Sequence, residues 1–139
     1  MRAGFGGEMK KDLETIILTR QELQIMKVVW QRGSATVRDV CEAMSEKKTI
    51  AYTTVLTLMG ILEDKGVLLH SRSGRAYVYR PLLSRRQATR NQVQDLLKRF
   101  FDDSPEKLIE NVLEDEFGKP EIMGTVRSLL ESRQQNQVA

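Results

Sequence analysis

The chain of 139 residues has one cysteine, one histidine and three prolines, and only 6% of its residues are aromatic. Cys41 cannot form an intrachain disulfide, and together with the single His70 it cannot supply the ligands of a Cys/His zinc site. No apolar run reaches the length of a signal-peptide core or of a membrane-spanning helix. These absences predict a cytoplasmic protein without a metal or another cofactor.

Motifs typical of catalysis are also missing. The chain has neither a glycine-rich phosphate loop nor a nucleophile elbow, because Gly4, Gly6 and Gly7 follow no predicted strand. The acidic cluster at 114–116 is more typical of a solvated helix end than of a pair of catalytic carboxylates. We therefore expect no enzyme and no catalytic residues.

What is present is a globular composition with unevenly distributed charge. Hydrophobic residues make up 40% and charged residues 29% of the chain. Residues 1–80 contain 13 Lys+Arg and 9 Asp+Glu, a net charge of +4, whereas residues 81–139 contain 9 and 10, a net charge of −1. A polyanionic partner would therefore bind the first half of the chain.

Three helices are predicted in that half. The first begins after Thr19, which opens the capping-box sequence Thr-Arg-Gln-Glu, and it ends at Gly33. The second begins after Thr36. The third is predicted over 49–65, where one face is apolar and the opposite face carries Thr53, Thr57 and Gly60. The apolar face has these members: Ala51, Val55, Leu58, Met59 and Leu62.

A β-hairpin follows the third helix. The segment VLLHSRSGRAYVYRPL is rich in Val, Leu and Tyr on both sides of a polar tip that contains glycine. Three helices followed by a hairpin predict a mainly α fold, a winged helix-turn-helix over 18–81. Residues 1–17 are expected to form a flexible N-terminal tail.

Three more amphipathic helices are predicted over 82–135, before a frayed terminus at 136–139. Their starts are marked by the capping-box sequence at Ser84, by Ser104-Pro105 and by Pro120, and Phe117-Gly118 is expected to end the middle one. So few residues bury too little surface to be stable alone, which predicts a homodimer. The candidate dimerisation residues are Val93, Leu96, Leu97, Phe100, Leu108, Ile109, Val112, Leu113, Ile122, Val126, Leu129 and Leu130.

The third helix is the candidate recognition helix for double-stranded DNA. In a helix-turn-helix this element enters the major groove, where a threonine methyl can pack on the C5-methyl of thymine. Thr53 and Thr57 are therefore predicted to contact bases. This face has no Arg, Asn or Gln, so recognition should depend on thymine methyls, DNA shape and half-site spacing. The competing interpretation is a merely solvated face, which is less favoured because threonine is a poor helix former.

Other residues around this helix are predicted to contact the DNA backbone. Basic pairs precede the helix and flank the hairpin tip, so they can meet phosphates on either side of a groove. The candidates are Lys47, Lys48, Thr49, Tyr52, Thr54, Arg72 and Arg75.

The strings LTRQELQIMKVVW, TVRDV, AYTTVLTLMGILEDKGVL and GRAYVYRP together resemble the penicillinase repressor and methicillin-resistance repressor family of bacterial winged-helix regulators. The resemblance is close over 18–81 and looser beyond. It implies a homodimeric repressor that binds inverted-repeat operators through the recognition helix and wing. Two winged domains would then occupy successive major-groove faces about 34–36 Å apart and block polymerase.

The resemblance also bears on how repression ends. The best-known members of the family are cut at an Asn-Phe bond by a membrane sensor protease. The nearest match here is Asn111-Val112, with valine in place of phenylalanine, so this bond is the candidate proteolytic site and the protease a candidate partner. Copper-responsive relatives carry C-terminal cysteines, and this chain has none after Cys41, which excludes that route.

Two other functions stay open at the level of sequence. A winged helix can serve as a protein-interaction module, although the Ser-Arg-Ser-Gly tip is not apolar. A small-molecule-sensing activator with a pocket among its helices is the second alternative. The regulated genes, the operator sequence and the inducing signal are not encoded in these patterns.

Overall fold

The computed structural model describes residues 13–114 and 119–138. After a short helical stretch at 13–15 come three helices, then an antiparallel hairpin, then three further helices. In chain order the elements are α1 (Arg20–Arg32), α2 (Val37–Ser45), α3 (Tyr52–Asp64), β1 (Leu68–Ser73), β2 (Ala76–Pro81), α4 (Arg85–Phe100), α5 (Pro105–Val112) and α6 (Pro120–Val138). This order confirms the predicted winged helix-turn-helix followed by helices.

The starts of α1 and α2 are fixed by capping boxes. The Glu22 carboxylate accepts the N–H of Thr19 at 2.8 Å, and the Thr19 hydroxyl accepts the N–H of Glu22 at 3.2 Å. Thr36 and Asp39 make the same reciprocal pair, with both distances 3.0 Å. The Thr36 N–H also holds the pKa of Asp39 below its ordinary value. Gly33 ends α1 with a φ of 84°, a conformation that other residues rarely adopt.

One hydrophobic core joins the first three helices to the base of the hairpin. Ile25, Met26 and Val29 of α1 are fully buried. The other core residues come from the remaining elements: Ala35, Val37, Val40, Val55, Met59, Leu62, Val67, Leu68, Tyr79 and Leu83. Burying one stripe from each helix stabilises the fold by the removal of apolar surface from water.

The wing is tied to the helices by backbone hydrogen bonds. Ala35 and Tyr79 exchange two N–H···O bonds of 2.9 and 2.8 Å, which adds a one-residue bridge to the outer edge of β2. The indole N–H of Trp30 donates to the Leu83 carbonyl at 2.8 Å. These bonds hold the hairpin at a fixed place beside α1.

The prediction of a flexible tail over 1–17 is wrong for residues 13–17, and the rest of that segment lies outside the described residues. Residues 13–15 are helical, and Leu13 and Ile16 pack against the core. The amide of Asn91, which is 3% exposed, donates to the carbonyls of Leu13 at 2.7 Å and Ile16 at 3.0 Å. A buried side chain on α4 therefore holds this segment in place.

Helix boundaries in the second half differ from the prediction in three respects. The Ser84 hydroxyl accepts the Gln87 N–H at 3.0 Å, but the Gln87 side chain donates to Asn91 instead of closing a capping box. Helix α5 ends at Val112, and the predicted stop at Phe117-Gly118 lies outside the described residues. Helix α6 continues to Val138, so residues 136–138, expected to fray, are helical.

The chain forms two compact units, residues 1–93 and 94–139. The first unit extends past the boundary expected after Pro81, because Leu83, Ala88 and Asn91 pack within it. In the second unit no residue within 94–114 and 119–136 is buried. Among the described residues, no helix is both long and apolar enough to cross a membrane.

A buried ion pair connects α1 to the residue that caps the end of α3. The Lys65 ammonium lies 2.8 Å from a carboxylate oxygen of Glu22, whose side chain is 3% exposed. Burial raises the pKa of Glu22, but the hydrogen bonds from Lys65 and from the Thr19 N–H outweigh burial and hold the pKa below its ordinary value of 4.5. The pair therefore stabilises the folded state above about pH 4.5, and this stabilisation is lost as pH falls through the lowered pKa.

We predict that Lys65→Met lowers the free energy of unfolding by about 1–3 kcal/mol at neutral pH, because it leaves the buried Glu22 carboxylate without its cation. The deficit should shrink below about pH 4.5, where the carboxylate becomes protonated in the variant. Urea unfolding followed by circular dichroism between pH 3 and 7 measures this difference.

The control is Arg99→Met, which removes the 3.5 Å pair with Asp95, whose side chains are 65% and 31% exposed. This variant should lose less than about 1 kcal/mol, as exposed pairs do. Equal losses for the two variants, or a Lys65→Met deficit that does not change with pH, would contradict the role given to the buried pair.

Candidate nucleic-acid interface

Helix α3 has one buried face and one exposed face, as predicted. Val55, Met59 and Leu62 are 0% exposed, whereas Thr53 and Thr57 are exposed on the opposite face. At about 100° per residue the two threonines lie roughly 160–200° from Val55. The hydroxyls and methyls of these threonines are therefore free to meet an external partner. Their contact with bases stays a prediction.

The start of α3 differs from the predicted start at Thr49. The helix begins at Tyr52, and its N-cap is Ala51, which is exposed instead of lying on the buried face. Thr49 and Ile50 precede the helix. They do not extend it, because Ala51 has an extended backbone, with a φ of −71° and a ψ of 139°. The Cys41 thiol donates to the Ile50 carbonyl at 3.6 Å.

Alanine as the N-cap leaves the first turn of α3 without a side-chain acceptor. The N–H groups there form a positive helix end, which favours an anion. Lys47, Lys48 and Thr49 are exposed just before this end, and Tyr52 and Thr54 are exposed on its first turn. The five residues predicted to contact the DNA backbone near this helix therefore all lie in its first turn or just before it.

The wing ends in a two-residue turn, because Ser73 pairs with Ala76 across the strands. Gly74 has a φ of 62°, as the first position of a type II′ turn requires. The Arg72 Nε donates to the Gly74 carbonyl at 3.3 Å, and its guanidinium lies 5.9 Å from the centre of the Tyr77 ring. Arg72 is thus held along the tip, and Arg75 is exposed at the tip itself.

Sequence reasoning missed a link between the recognition helix and the wing. The Glu63 carboxylate at the end of α3 lies 2.6 Å from Nδ1 of His70 on β1 and accepts the His70 backbone N–H at 3.3 Å. The His70 ring also packs against Tyr77 and Tyr79, with centroids 4.7 and 5.5 Å apart. This link connects the C-terminal end of α3 to the first strand of the wing.

A second missed feature is the apolar character of the flanks of α3. Tyr52, Leu56 and Ile61 are exposed by 51, 44 and 40%. The helical pattern did contain this signal, because these three side chains fall outside the stripe formed by Val55 and its partners. The surface of α3 therefore offers apolar as well as hydroxyl groups.

The candidate dimerisation residues are exposed or half-buried in the single chain. Phe100, Leu129 and Leu130 are the most exposed, at 67, 62 and 58%. Val93, Ile109, Val112 and Ile122 are also exposed, and Leu96, Leu97, Leu108, Leu113 and Val126 are half-buried.

The candidate proteolytic site lies in the last turn of α5, where Asn111 and Val112 are both exposed. Cleavage of the Asn111–Val112 bond by a membrane sensor protease stays a prediction.

The described part of the chain has no metal-binding cluster, and it has an open cavity away from α3. No group of three His, Cys, Asp or Glu side chains there is placed to hold a metal ion. An open cavity of about 230 Å³ lies between α1 and the start of α4, lined by Leu23, Trp30, Ala88 and Val93 among others. None of its lining residues belongs to α3 or to the wing.

Known bacterial regulators are similar in sequence to this chain. The chain is 28% identical to the penicillinase repressor of Bacillus licheniformis over 110 residues, which cover 79% of this chain and 86% of that one. It is 35% identical to the transcriptional regulator BlaI of Mycobacterium tuberculosis over 82 residues, 58% of this chain and 59% of the relative.

Solved structures similar to this chain include the DNA-binding domain of the repressor BlaI in solution. That domain is 31% identical to this chain, and the match covers 50% of this chain and 85% of the domain, with a TM-score of 0.47. Another is monomeric B. licheniformis BlaI in complex with the blaP half-operator. It is 30% identical, the match covers 52% of this chain and 89% of that one, and the TM-score is 0.46.

Residues 18–132 match the family described as penicillinase repressor. Because this match spans both the winged helix and most of the helices that follow, the chain belongs to the penicillinase repressor family.

Proposed function

We propose that the protein acts as a homodimer that occupies inverted-repeat operators and blocks transcription by occlusion. The chain belongs to a family of repressors, which act by binding DNA and are not enzymes. The dimer, the occlusion mechanism, the cytoplasmic location and the contact residues are our inferences. The observation that supports them best is the exposed threonine face of α3, opposite Val55, Met59 and Leu62.

The proposed DNA contacts divide into two kinds. Thr53 and Thr57 enter the major groove and read bases, chiefly through contact of their methyl groups with thymine. The exposed cations Lys47, Lys48 and Arg75, together with Arg72 along the wing, bind phosphates on either side of that groove. Phosphate contacts set affinity and register, and the threonines select sequence.

The proposed dimer follows from the second unit. Within 94–114 and 119–136 no residue is buried, yet Phe100, Leu129 and Leu130 each expose more than half of their surface. A set of large exposed apolar side chains on short helices is typical of an interface between chains. A second copy supplies matching faces, and it places a second recognition helix on the same duplex.

The first test is selection of duplexes from a random pool by the full chain, alongside a gel shift on DNA upstream of its own gene. The proposal expects an enriched motif with two-fold symmetry. Binding without any enriched motif, or none in dilute buffer, would rule out sequence-specific repression by this chain.

We predict that Thr53→Ala and Thr57→Ala each weaken binding to the selected duplex by about 1–3 kcal/mol, because each removes a methyl and a hydroxyl from base edges. Binding to random-sequence DNA should change little. Fluorescence anisotropy on both duplexes at one salt concentration measures the ratio. Thr89→Ala, an exposed helical threonine outside the interface, is the control. Equal losses on both duplexes would show that the threonines read no bases.

We predict that Arg72→Ala and Arg75→Ala weaken binding to selected and random duplexes alike. Each should also reduce the slope of log affinity against log salt by about one unit per phosphate contact. The measurement is a titration of affinity between 50 and 200 mM salt. Arg127→Ala, an exposed arginine on α6, should leave the slope unchanged. A slope equal to that of the unmodified protein would mean that the wing does not reach phosphate.

We predict that Leu129→Glu and Leu130→Glu each raise the dissociation constant of the dimer by roughly 30-fold or more, because an apolar contact becomes a buried charge at two symmetric positions. Sedimentation equilibrium measures the constant. Ser128→Glu, which adds the same charge to an exposed neighbour, should have little effect. Unmodified protein that sediments as a monomer at micromolar concentration would contradict the proposed dimer.

A further inference from the structure

Large exposed apolar side chains of the winged unit concentrate on the elements proposed to contact DNA. Of the seven such residues in the described part of residues 1–93, five lie on α3 or the wing: Tyr52, Leu56, Ile61, Leu69 and Tyr77. A single exposed leucine needs no explanation. Leu56 differs from such a case because of its position on the recognition helix, next to the threonines.

Leu56 lies on a defined flank of α3. It follows Thr53 by three residues, so the two side chains are neighbours on the helix surface. It precedes Glu63 by seven residues, which places both on the same side of the helix. Because the Glu63 carboxylate contacts His70 of β1, that side faces the wing. Leu56, exposed by 44%, therefore lies on the flank of α3 that faces the wing.

The chemistry of the major groove offers one apolar partner to such a side chain. Among the base edges exposed there, the thymine C5-methyl is the apolar group, and all other groups are hydrogen-bond donors or acceptors. A leucine that faced only donors and acceptors would leave them unsatisfied, at a cost to binding. A leucine that packs on a methyl removes apolar surface from water on both sides.

The geometry points to Leu56 as a further specificity-determining residue, which packs on a thymine methyl on the wing side of the base pairs contacted by Thr53. This inference rests on the proposed function, because it requires α3 to lie in the major groove. It adds one selected thymine to each half-site, beyond those read by the two threonines. The larger side chain makes this the strongest methyl contact of the helix.

The test removes the methyl from the DNA and the side chain from the protein. Each thymine of the selected duplex is replaced in turn by deoxyuridine, which lacks only the C5-methyl, and affinity is measured by fluorescence anisotropy. At one position in each half-site the unmodified protein should lose about fourfold in affinity, the equivalent of one buried methyl group. For Leu56→Ala the same replacement should have no effect, and Leu56→Met should keep the sensitivity.

Ile61→Ala is the matched control, because Ile61 is exposed by 40% on the same helix but about 140° around it from Leu56. This variant should keep the deoxyuridine penalty at the Leu56 position. Identical penalties for Leu56→Ala and the unmodified protein at every thymine would overturn the inference while the proposed function stands. Failure of the unmodified protein to select any duplex would overturn both.

Discussion

The proposed DNA interface depends on the burial of one face of α3. Val55, Met59 and Leu62 are sealed in the core with Ile25 and Met26 of α1. Because side chains repeat every 3.6 residues, burying this stripe forces the threonine face outward. Two contacts at the C-terminal end of the helix then limit its rotation and tilt: the Lys65 ammonium pairs with Glu22 of α1, and the Glu63 carboxylate contacts Nδ1 of His70 on the wing. The hydrophobic stripe sets the orientation of α3, and these two contacts set its position.

The two units differ in what holds them together. The winged unit has a closed core, capped helices and a hairpin tied by Ala35 and Tyr79, so its fold is satisfied within one chain. The second unit has capped helices, such as α5 with Ser104 at its start, but no described buried residue. Helix caps fix where helices begin and do not supply a core. Dimerisation would therefore complete the fold of the second unit and, by the same contacts, place two recognition helices on one operator.

Local patterns were enough to predict much of this structure. The Thr19 and Thr36 caps, the Gly33 stop and the buried stripe of α3 each depend on residues within one or two helical turns, and the structure confirms them. The two missed contacts join residues on different elements. The Asn91 amide donates to the carbonyl of Leu13, 78 residues away in sequence. Glu63 and His70 are seven residues apart but lie on a helix and a strand, which are joined by a turn at Gly66, whose φ is 81°. The periodicity of one element contains no information about its contacts with another.

In the proposed complex, α3 lies in the major groove with its threonine face toward the bases. Proton NMR of the methyl-labelled protein bound to its selected duplex tests this directly, through nuclear Overhauser contacts between protein and DNA. The account predicts contacts from the Thr53 and Thr57 methyls to thymine C5-methyl protons in each half-site. A saturated complex in which those contacts are absent and α3 keeps the shifts of the free protein would contradict it.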